Sequence, residues 1–140
     1  MTLEEKGPIV PPPVLSANLQ ALSVEIQSWP GIVSATHWDL YRRDRPDGAD
    51  FYVGSEELGH IHLDGSVHLV TGDELCQSLL EAGLAKRFPY GAGWVLYHIR
   101  SEAEASHARW LFQLNYDRLN GMPMTDLQAR IAAHSKGALV

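Results

Sequence analysis

Three of the seven histidines of the chain lie close together, at His60, His62 and His68. An imidazole can ligate a metal ion, transfer a proton near neutral pH or hydrogen-bond a polar ligand. Glu57 precedes these histidines and Asp64 lies among them. Since a carboxylate beside an imidazole fixes its tautomer, this segment concentrates more chemistry than any other part of the chain.

The same segment has the pattern of a β-hairpin. Apolar and polar residues alternate on both sides of the dipeptide Asp64-Gly65, which is a strong short-range signal for a turn between two strands. Side chains two residues apart on a strand point to one face of the sheet. The sequence therefore predicts that His60 and His62 share a face.

The position of His68 depends on the length of the turn. A two-residue loop pairs His62 with Val67 and turns His68 to the other face. A three-residue loop over residues 64–66, with a bulge, pairs His62 with His68 and places all three histidines on one face. The sequence leaves both alternatives open.

Three interpretations of the histidine segment compete. Three imidazoles with Glu57 or Glu56 resemble the ligands of a catalytic metal ion with one open position. The same groups suit a metal-free catalytic or ligand-binding site. The third interpretation is a half-exposed polar face of a sheet, with histidines that make ordinary hydrogen bonds.

The rest of the chain predicts an α+β domain around this hairpin. Residues 1–14 contain three consecutive prolines and predict an extended, poorly packed lead-in, with the domain over residues 15–140. We expect a single domain with a mainly antiparallel sheet of about four to five strands and with helices packed on one face. The expected elements are a helix after Ser16, strands at 32–40, 50–54 and 94–99 besides the hairpin, and helices opened by Thr71, Ser101 and Thr125.

Composition excludes several classes of partner. A net charge of -6 argues against binding to a nucleic-acid backbone. The chain has neither an apolar stretch of membrane-spanning length nor the pattern of a signal peptide, so we expect a cytoplasmic protein without a membrane partner. The single cysteine, Cys76, excludes an internal disulfide. The weakly amphipathic segment 122–140 is compatible with a homodimer.

A family resemblance runs through these motifs. The run Glu57-x-x-His60-x-His62, followed by His68-Leu69, resembles the core of the fungal bioluminescence luciferases and of bacterial luciferase-like proteins of unknown function. The likeness continues through Lys86-Arg87-Phe88-Pro89, where the fungal enzymes have Arg-His-Pro, and through Trp94-Val95-Leu96-Tyr97. It extends over residues 50–120 and reaches the acidic helix start at 101–104.

The resemblance implies an enzyme that needs no cofactor besides molecular oxygen as a co-substrate. The fungal reaction adds oxygen to a hydroxylated styrylpyrone and releases carbon dioxide. The corresponding hypothesis here is an oxygen-using enzyme for a flat, enol-type small molecule. His60 and His62 would act as general base and hydrogen-bond donor, Glu57 would fix a tautomer, and His68 would stabilise an oxyanion.

Four further residues complete this hypothesis. Arg87 would hold a developing negative charge, while Trp94 and Tyr97 would stack on an aromatic ligand. Asp64 is a candidate for ligand binding. A surface ion pair is the competing interpretation for Arg87, and core packing is the competing one for Trp94 and Tyr97.

Two other functions remain open on the sequence. One is a binding module without chemistry, for a small aromatic molecule or a protein. The other is a hydrolase or oxygenase that depends on a divalent metal ligated by His60, His62 and His68. His37 joins the site only if its strand lies nearby, and neither His98 nor His107 is expected there.

Overall fold

The computed structural model of the chain describes residues 1–138, which form five helices and six strands. The helices are α1 (Leu3–Lys6), α2 (Ala17–Gln27), α3 (Asp73–Glu81), α4 (Glu102–Leu119) and α5 (Met124–Ala138). The strands are β1 (Ile32–Trp38), β2 (Pro46–Val53), β3 (Glu56–His62), β4 (Ser66–Val70), β5 (Lys86–Arg87) and β6 (Trp94–His98).

All six strands belong to one sheet in the order β1-β2-β3-β4-β6-β5, and every neighbouring pair is antiparallel. This confirms the predicted α+β class with an antiparallel sheet. The sheet has one strand more than expected, because the two residues of β5 pair with the edge of β6. A two-residue strand leaves no alternation pattern in a sequence.

Helices α2 to α5 cover one face of the sheet, as predicted, whereas the short α1 brings Lys6 to the opposite face. Phe51, Ile61, Val67 and Val95 point to this face and are fully buried. The ring of Phe51 meets that of Phe112 on α4 edge to face, with centroids 5.8 Å apart. Burial of each such side chain stabilises the fold by roughly 1.5–3 kcal/mol. These four apolar side chains of the strands thus face the helices.

The N-terminal segment contains a short helix before its extended part. Thr2 and Glu5 form a reciprocal capping box that begins helix α1. Beyond this helix, the backbone runs beside β1, where the Thr36 amide donates to the carbonyl of Val10 at 2.9 Å. The unpaired edge of β1 supplies the hydrogen bonds that hold this segment. The domain boundary at residue 15 stays a prediction, and residues 139 and 140 lie outside the described part of the chain.

Candidate functional site

The hairpin has a three-residue loop, but not the one considered from the sequence. Residues 63–65 form the loop, and His60 lies opposite His68, with Ile61 opposite Val67. The expected three-residue loop paired His62 with His68, so the true register is shifted by two residues. A shift by two preserves the faces of the strands. His60, His62 and His68 therefore share one face, away from the helices.

Asp64 belongs to the turn of this hairpin. Its carboxylate accepts the backbone amide of Ser66 at 2.8 Å, and Gly65 next to it has a φ of 91°. This is the standard conformation of a turn that needs a left-handed glycine. Asp64 stabilises the loop and does not line the large cavity described below.

A β-bulge places Glu57 on the histidine face. Strict alternation would put Glu57 and His60, three residues apart, on opposite faces. The register between β2 and β3 shifts, however, so that Gly59 lies opposite Phe51 while Glu57 lies opposite Tyr52. Leu58 is the extra residue, and it is fully buried against the helices.

A fourth imidazole joins the other three. His37 on β1 stacks on His60 with ring centroids 4.0 Å apart. The rings of His60 and His62 lie 4.8 Å apart, and those of His62 and His68 lie 4.6 Å apart. We call His37, His60, His62 and His68 the histidine cluster. The strand of His37 is not adjacent to the hairpin, because β2 lies between β1 and β3, and His37 reaches the cluster across β2.

Each of three histidines in the cluster contacts a carboxylate through its Nδ1 atom. The pairs are His37 with Asp50 at 2.8 Å, His60 with Glu57 at 3.3 Å, and His62 with Asp47 at 2.8 Å. A carboxylate only accepts hydrogen bonds, so Nδ1 carries the hydrogen in all three rings and Nε2 carries a lone pair.

His68 connects two of these pairs. Its Nδ1 atom lies 3.0 Å from Nε2 of His60 and 3.3 Å from Nε2 of His62. Because both of those atoms are acceptors, Nδ1 of His68 donates to them. The lone pair of His68 is then on Nε2, which no group within residues 1–138 hydrogen-bonds.

Lys6, from helix α1, balances the carboxylates beneath the cluster. Its ammonium lies 3.3 Å from Asp50 and also forms a close ion pair with Glu57. The single hydrogen of the Tyr52 hydroxyl is shared between Glu57, at 3.1 Å, and the backbone carbonyl of Met1, at 2.8 Å. Burial lowers the pKa of Lys6, but the charges of Glu57 and Asp50 raise it by more, so the ammonium stays charged. Buried carboxylates need such partners to remain ionised.

Two imidazoles of the cluster, those of His60 and His68, are neutral at neutral pH. Burial holds the pKa of His60 well below its usual range. Burial, with His62 and His37 nearby, also lowers the pKa of His68, to about 4. Burial raises the pKa of Glu57, but the hydrogen bond from His60 and the Lys6 ammonium outweigh this and lower it to about 2. The site thus combines the ionised carboxylate of Glu57 with the neutral imidazoles of His60 and His68.

The cluster forms the floor of a cavity of about 890 Å³. Aromatic rings form much of the wall: Phe88 lies 4.8 Å from His68 and stacks on Trp94 at 5.5 Å, and Tyr90 contacts Phe88 at 5.9 Å. Arg118 at the end of α4 also lines it. A cavity of this size and composition suits a drug-sized aromatic ligand.

Of the two aromatic residues expected to stack on a ligand, Tyr97 lies elsewhere. Tyr97 pairs with Val67 and therefore points to the helix face, where its ring packs 4.8 Å from His107. Trp94, three residues earlier on the same strand, points to the cavity because of strand alternation. The two aromatic residues cannot both face one ligand.

Arg87 is likewise separate from the cluster. It is exposed, lies opposite Val95, and lines a smaller cavity of about 310 Å³ that also includes Cys76. The guanidinium at the large cavity is instead that of Arg118, which is held by the Asn115 side chain at 2.8 Å and by the carbonyl of Val70 at 2.9 Å.

The sequence analysis missed several residues of the site. Asp47 and Asp50 fall on β2, which begins at Pro46 and not at residue 50, where the strand was expected. A charged residue inside the apolar run Asp50-Phe51-Tyr52-Val53 is a signal for a buried partner, and it was available in the sequence. No local pattern points to Lys6 or Arg118, which reach the site from distant elements.

Metal-ligand spacing is present in two overlapping groups. One ring nitrogen from each of His37, His60 and His62 lies within 4.8 Å of the other two. Atoms of Asp50, Glu57 and His60 meet the same limit. The metal set expected from the sequence was His60, His62 and His68, whereas the histidine group that meets this limit has His37 in place of His68.

Comparison with known families gives one match. Residues 55–115 match the family model of the luciferase domain. This segment, less than half of the chain, is similar to the luciferase domain. The matched segment includes the bulge, the hairpin, β6 and most of α4, which confirms the resemblance seen in the sequence. No curated protein and no solved structure matches the chain.

The match separates the site into two parts. Glu57, His60, His62, His68 and Trp94 lie inside the luciferase-like segment. His37 on β1, the carboxylates of Asp47 and Asp50 on β2, and Lys6 precede the matched segment. Among the described residues, no helix is both long enough and apolar enough to cross a bilayer.

Proposed function

We propose that this luciferase-like protein is an enzyme that binds a small, flat molecule with an acidic enol or phenol hydroxyl and oxidises it with molecular oxygen. The family match supports the use of oxygen, as the fungal luciferases use it. The aromatic cavity supports a flat ligand. The proposal does not include light emission.

The observation that carries the proposal is the hydrogen-bond relay that ends at His68. Two carboxylate–imidazole pairs, Glu57–His60 and Asp47–His62, both contact Nδ1 of His68. A ligand hydroxyl at Nε2 of His68 transfers its proton there, and the relay stabilises the charge that the imidazole gains. The resulting enolate is electron-rich, which makes it the form that oxygen oxidises.

The cavity wall supplies the remaining contacts. Phe88 and Trp94 offer aromatic faces beside His68 for a planar ring. Arg118 lines the same cavity, and its positive charge favours a ligand that becomes anionic. In this proposal Arg118 takes the role that the sequence analysis gave to Arg87.

A screen of hydroxylated pyrones and related enols tests the function. We expect at least one compound to consume oxygen with the protein, as measured with an oxygen electrode and by mass spectrometry of the product. His68→Gln should lower the rate at least about 100-fold, as expected for the loss of a general base. His98→Gln is the matched control, because His98 lies on the same sheet face but outside the cavity.

Two results count against an enzyme. If a compound changes the fluorescence of Trp94 but is recovered unchanged, the protein is a binding module. If His68→Gln turns over substrate as fast as the His98 control, the chemistry takes place elsewhere.

A further inference from the structure

The centre of the histidine cluster has more hydrogen-bond acceptors than donors. His37, His60 and His62 all commit Nδ1–H to carboxylates, which leaves three Nε2 lone pairs. Among the described residues, the donor that meets them is Nδ1–H of His68, which both His60 and His62 must share. Lone pairs that converge in a buried place without donors favour a cation.

The formal charge around the cluster favours a cation as well. Asp47, Asp50 and Glu57 contribute three negative charges and Lys6 contributes one positive charge, which leaves -2. Asp50 is fully buried, so solvent does not screen its charge. One divalent ion would neutralise this group.

The distances agree with nitrogen ligands around one ion. Metal–nitrogen bonds of about 2.0–2.1 Å in a tetrahedral site place neighbouring ligand atoms about 3.3 Å apart. Nδ1 of His68 lies 3.0 Å and 3.3 Å from the Nε2 atoms of His60 and His62. His37 stacks parallel to His60, so its ring must tilt to direct a lone pair at the same point.

The carboxylates complete the pattern. Histidines that ligate metals usually donate their second ring N–H to a carboxylate, which orients the ring and raises its basicity. His37, His60 and His62 each have this contact. Histidines on a merely polar sheet face have no reason to be paired this way three times.

We infer that the histidine cluster binds one divalent transition-metal ion, with His60, His62 and His68 as the principal ligands and His37 as the fourth. Imidazole ligands without thiolates suit zinc, iron or a neighbouring metal of the first row. This inference rests on the proposed function and deepens it. With Nδ1 of His68 on the ion, the hydrogen of this imidazole is on Nε2, so His68 no longer accepts the ligand's proton. The ligand then binds as the enolate that an acidic enol already forms in water, and Nε2–H of His68 donates to its oxygen, so the ligand occupies the same place.

Titration with cobalt(II) tests the site without any substrate. We expect one ion per chain, visible d–d absorption of a nitrogen-ligated ion, and quenching of Trp94, whose ring lies 6.1 Å from that of His60. The variant Trp94→Phe should bind cobalt but lose most of the quenching. His62→Ala should weaken binding at least about 100-fold, and His37→Ala by less, since His37 must tilt to bind.

Asp47→Asn distinguishes a metal site from a structural cluster. Asp47 is partly exposed, so this variant should fold, yet the loss of a carboxylate behind His62 should weaken metal binding about 10–100-fold. His98→Ala, outside the cluster, should bind cobalt like the unaltered protein. A purely structural role for Asp47 predicts no change in metal affinity.

The inference is overturned if cobalt and zinc fail to bind stoichiometrically, or if His60→Ala and His62→Ala bind them as before. The second result would assign binding to another pair, such as His107 and His134. If chelator-treated protein still consumes oxygen with a substrate, the inferred metal ion is not needed, and the proposed function stands without it. Stoichiometric metal in a protein that transforms none of the screened enols would refute the proposed function alone.

Discussion

Lys6 shows how a single residue far away in the sequence governs the site. Its ammonium is the cation that contacts both Asp50 and Glu57, and all three side chains are largely buried. Removal of one partner from a buried ion pair leaves an uncompensated charge, which commonly costs about 3–5 kcal/mol.

We therefore expect Lys6→Met to destabilise the fold by roughly 3 kcal/mol, because methionine keeps the apolar stem and removes the charge. Urea denaturation measures the free energy of unfolding. Lys86→Met changes an exposed lysine and is the matched control. A Lys6→Met protein as stable as this control would show that the two carboxylates do not depend on Lys6.

Glu57 gives the protein a specific sensitivity to acid. Its pKa in the folded state is lowered from 4.5 to about 2, so the unfolded chain binds its proton more readily than the folded one. The stability that Glu57 contributes is therefore fully present above pH 4.5 and is lost as the pH falls towards 2. At neutral pH it is on the order of 3 kcal/mol.

The difference in stability between the unaltered protein and Glu57→Gln should shrink steadily between pH 5 and pH 2. The measurement is urea denaturation at a series of pH values. Glu74→Gln, which removes an exposed carboxyl from α3, serves as the control. A constant difference across this range would mean that Glu57 stabilises the fold by packing and not by its charge.

Among single residues, the sequence identified those that carry chemistry themselves. Glu57, His60, His62, His68 and Trp94 do lie together at one cavity. Tyr97 was wrongly placed there, although strand alternation already separates it from Trp94. Lys6 and Arg118 had no signal, because their positions depend on how distant elements pack and not on neighbours in the chain.

At the scale of elements, close contact between β2 and β3 holds the site together. Gly48 lies opposite His62 with a φ of 133°, and a Cβ atom there would overlap the carbonyl of Ile61. Gly54, also with a positive φ, has open space around it. Alanine at Gly54 measures the cost of the backbone conformation alone, and alanine at Gly48 adds the cost of the overlap with Ile61.

Gly48→Ala should destabilise the protein by at least about 3 kcal/mol and disrupt the contact between Asp47 and His62. Gly54→Ala should cost only about 1–2 kcal/mol, the ordinary penalty of a left-handed residue. Thermal unfolding of both variants checks this. If both variants lose the same stability, β2 and β3 move apart at Gly48 at little cost and the overlap with Ile61 is relieved.

The elements were predictable in type more than in register. Parity along the strands placed the histidines on one face, but the loop at 63–65 and the bulge at Leu58 depend on contacts with β2 that a hairpin pattern does not contain. The expected cap at Thr71 failed for a related reason. Gly72 precedes α3, and the hydroxyl of Thr71 donates to the carbonyl of Gly93.

At the scale of the whole molecule, Asn115 connects the helix layer to the site. It is fully buried on α4, and its side-chain amide donates to the carbonyl of Leu58 at 2.9 Å and to that of Val70 at 3.0 Å. Leu58 is the bulged residue that brings Glu57 to the cluster. The helix therefore satisfies the carbonyl that the bulge exposes.

Asn115→Leu keeps the volume and removes the side-chain donor to Leu58, while the carbonyl of Val70 keeps the hydrogen bond from Arg118, so it should cost about 1–3 kcal/mol for the unsatisfied group. It should also weaken ligand or metal binding, since the bulge is released. Chemical denaturation and cobalt titration measure the two effects. Asn18→Leu, on the exposed side of α2, is the control. If the Asn115→Leu protein is less stable but binds metal as tightly as before, the geometry of the site does not depend on the bulge at Leu58.

The position of Met1 has a practical consequence. Its backbone carbonyl accepts the hydroxyl of Tyr52 at 2.8 Å, and the residue lines the same cavity as the histidine cluster. Whatever is joined to its amino group starts at the mouth of the site. A polyhistidine tag fused there would bring competing imidazoles to the cluster and could not avoid the cavity where the ligand binds. A tag at the other end of the chain is not attached at this site.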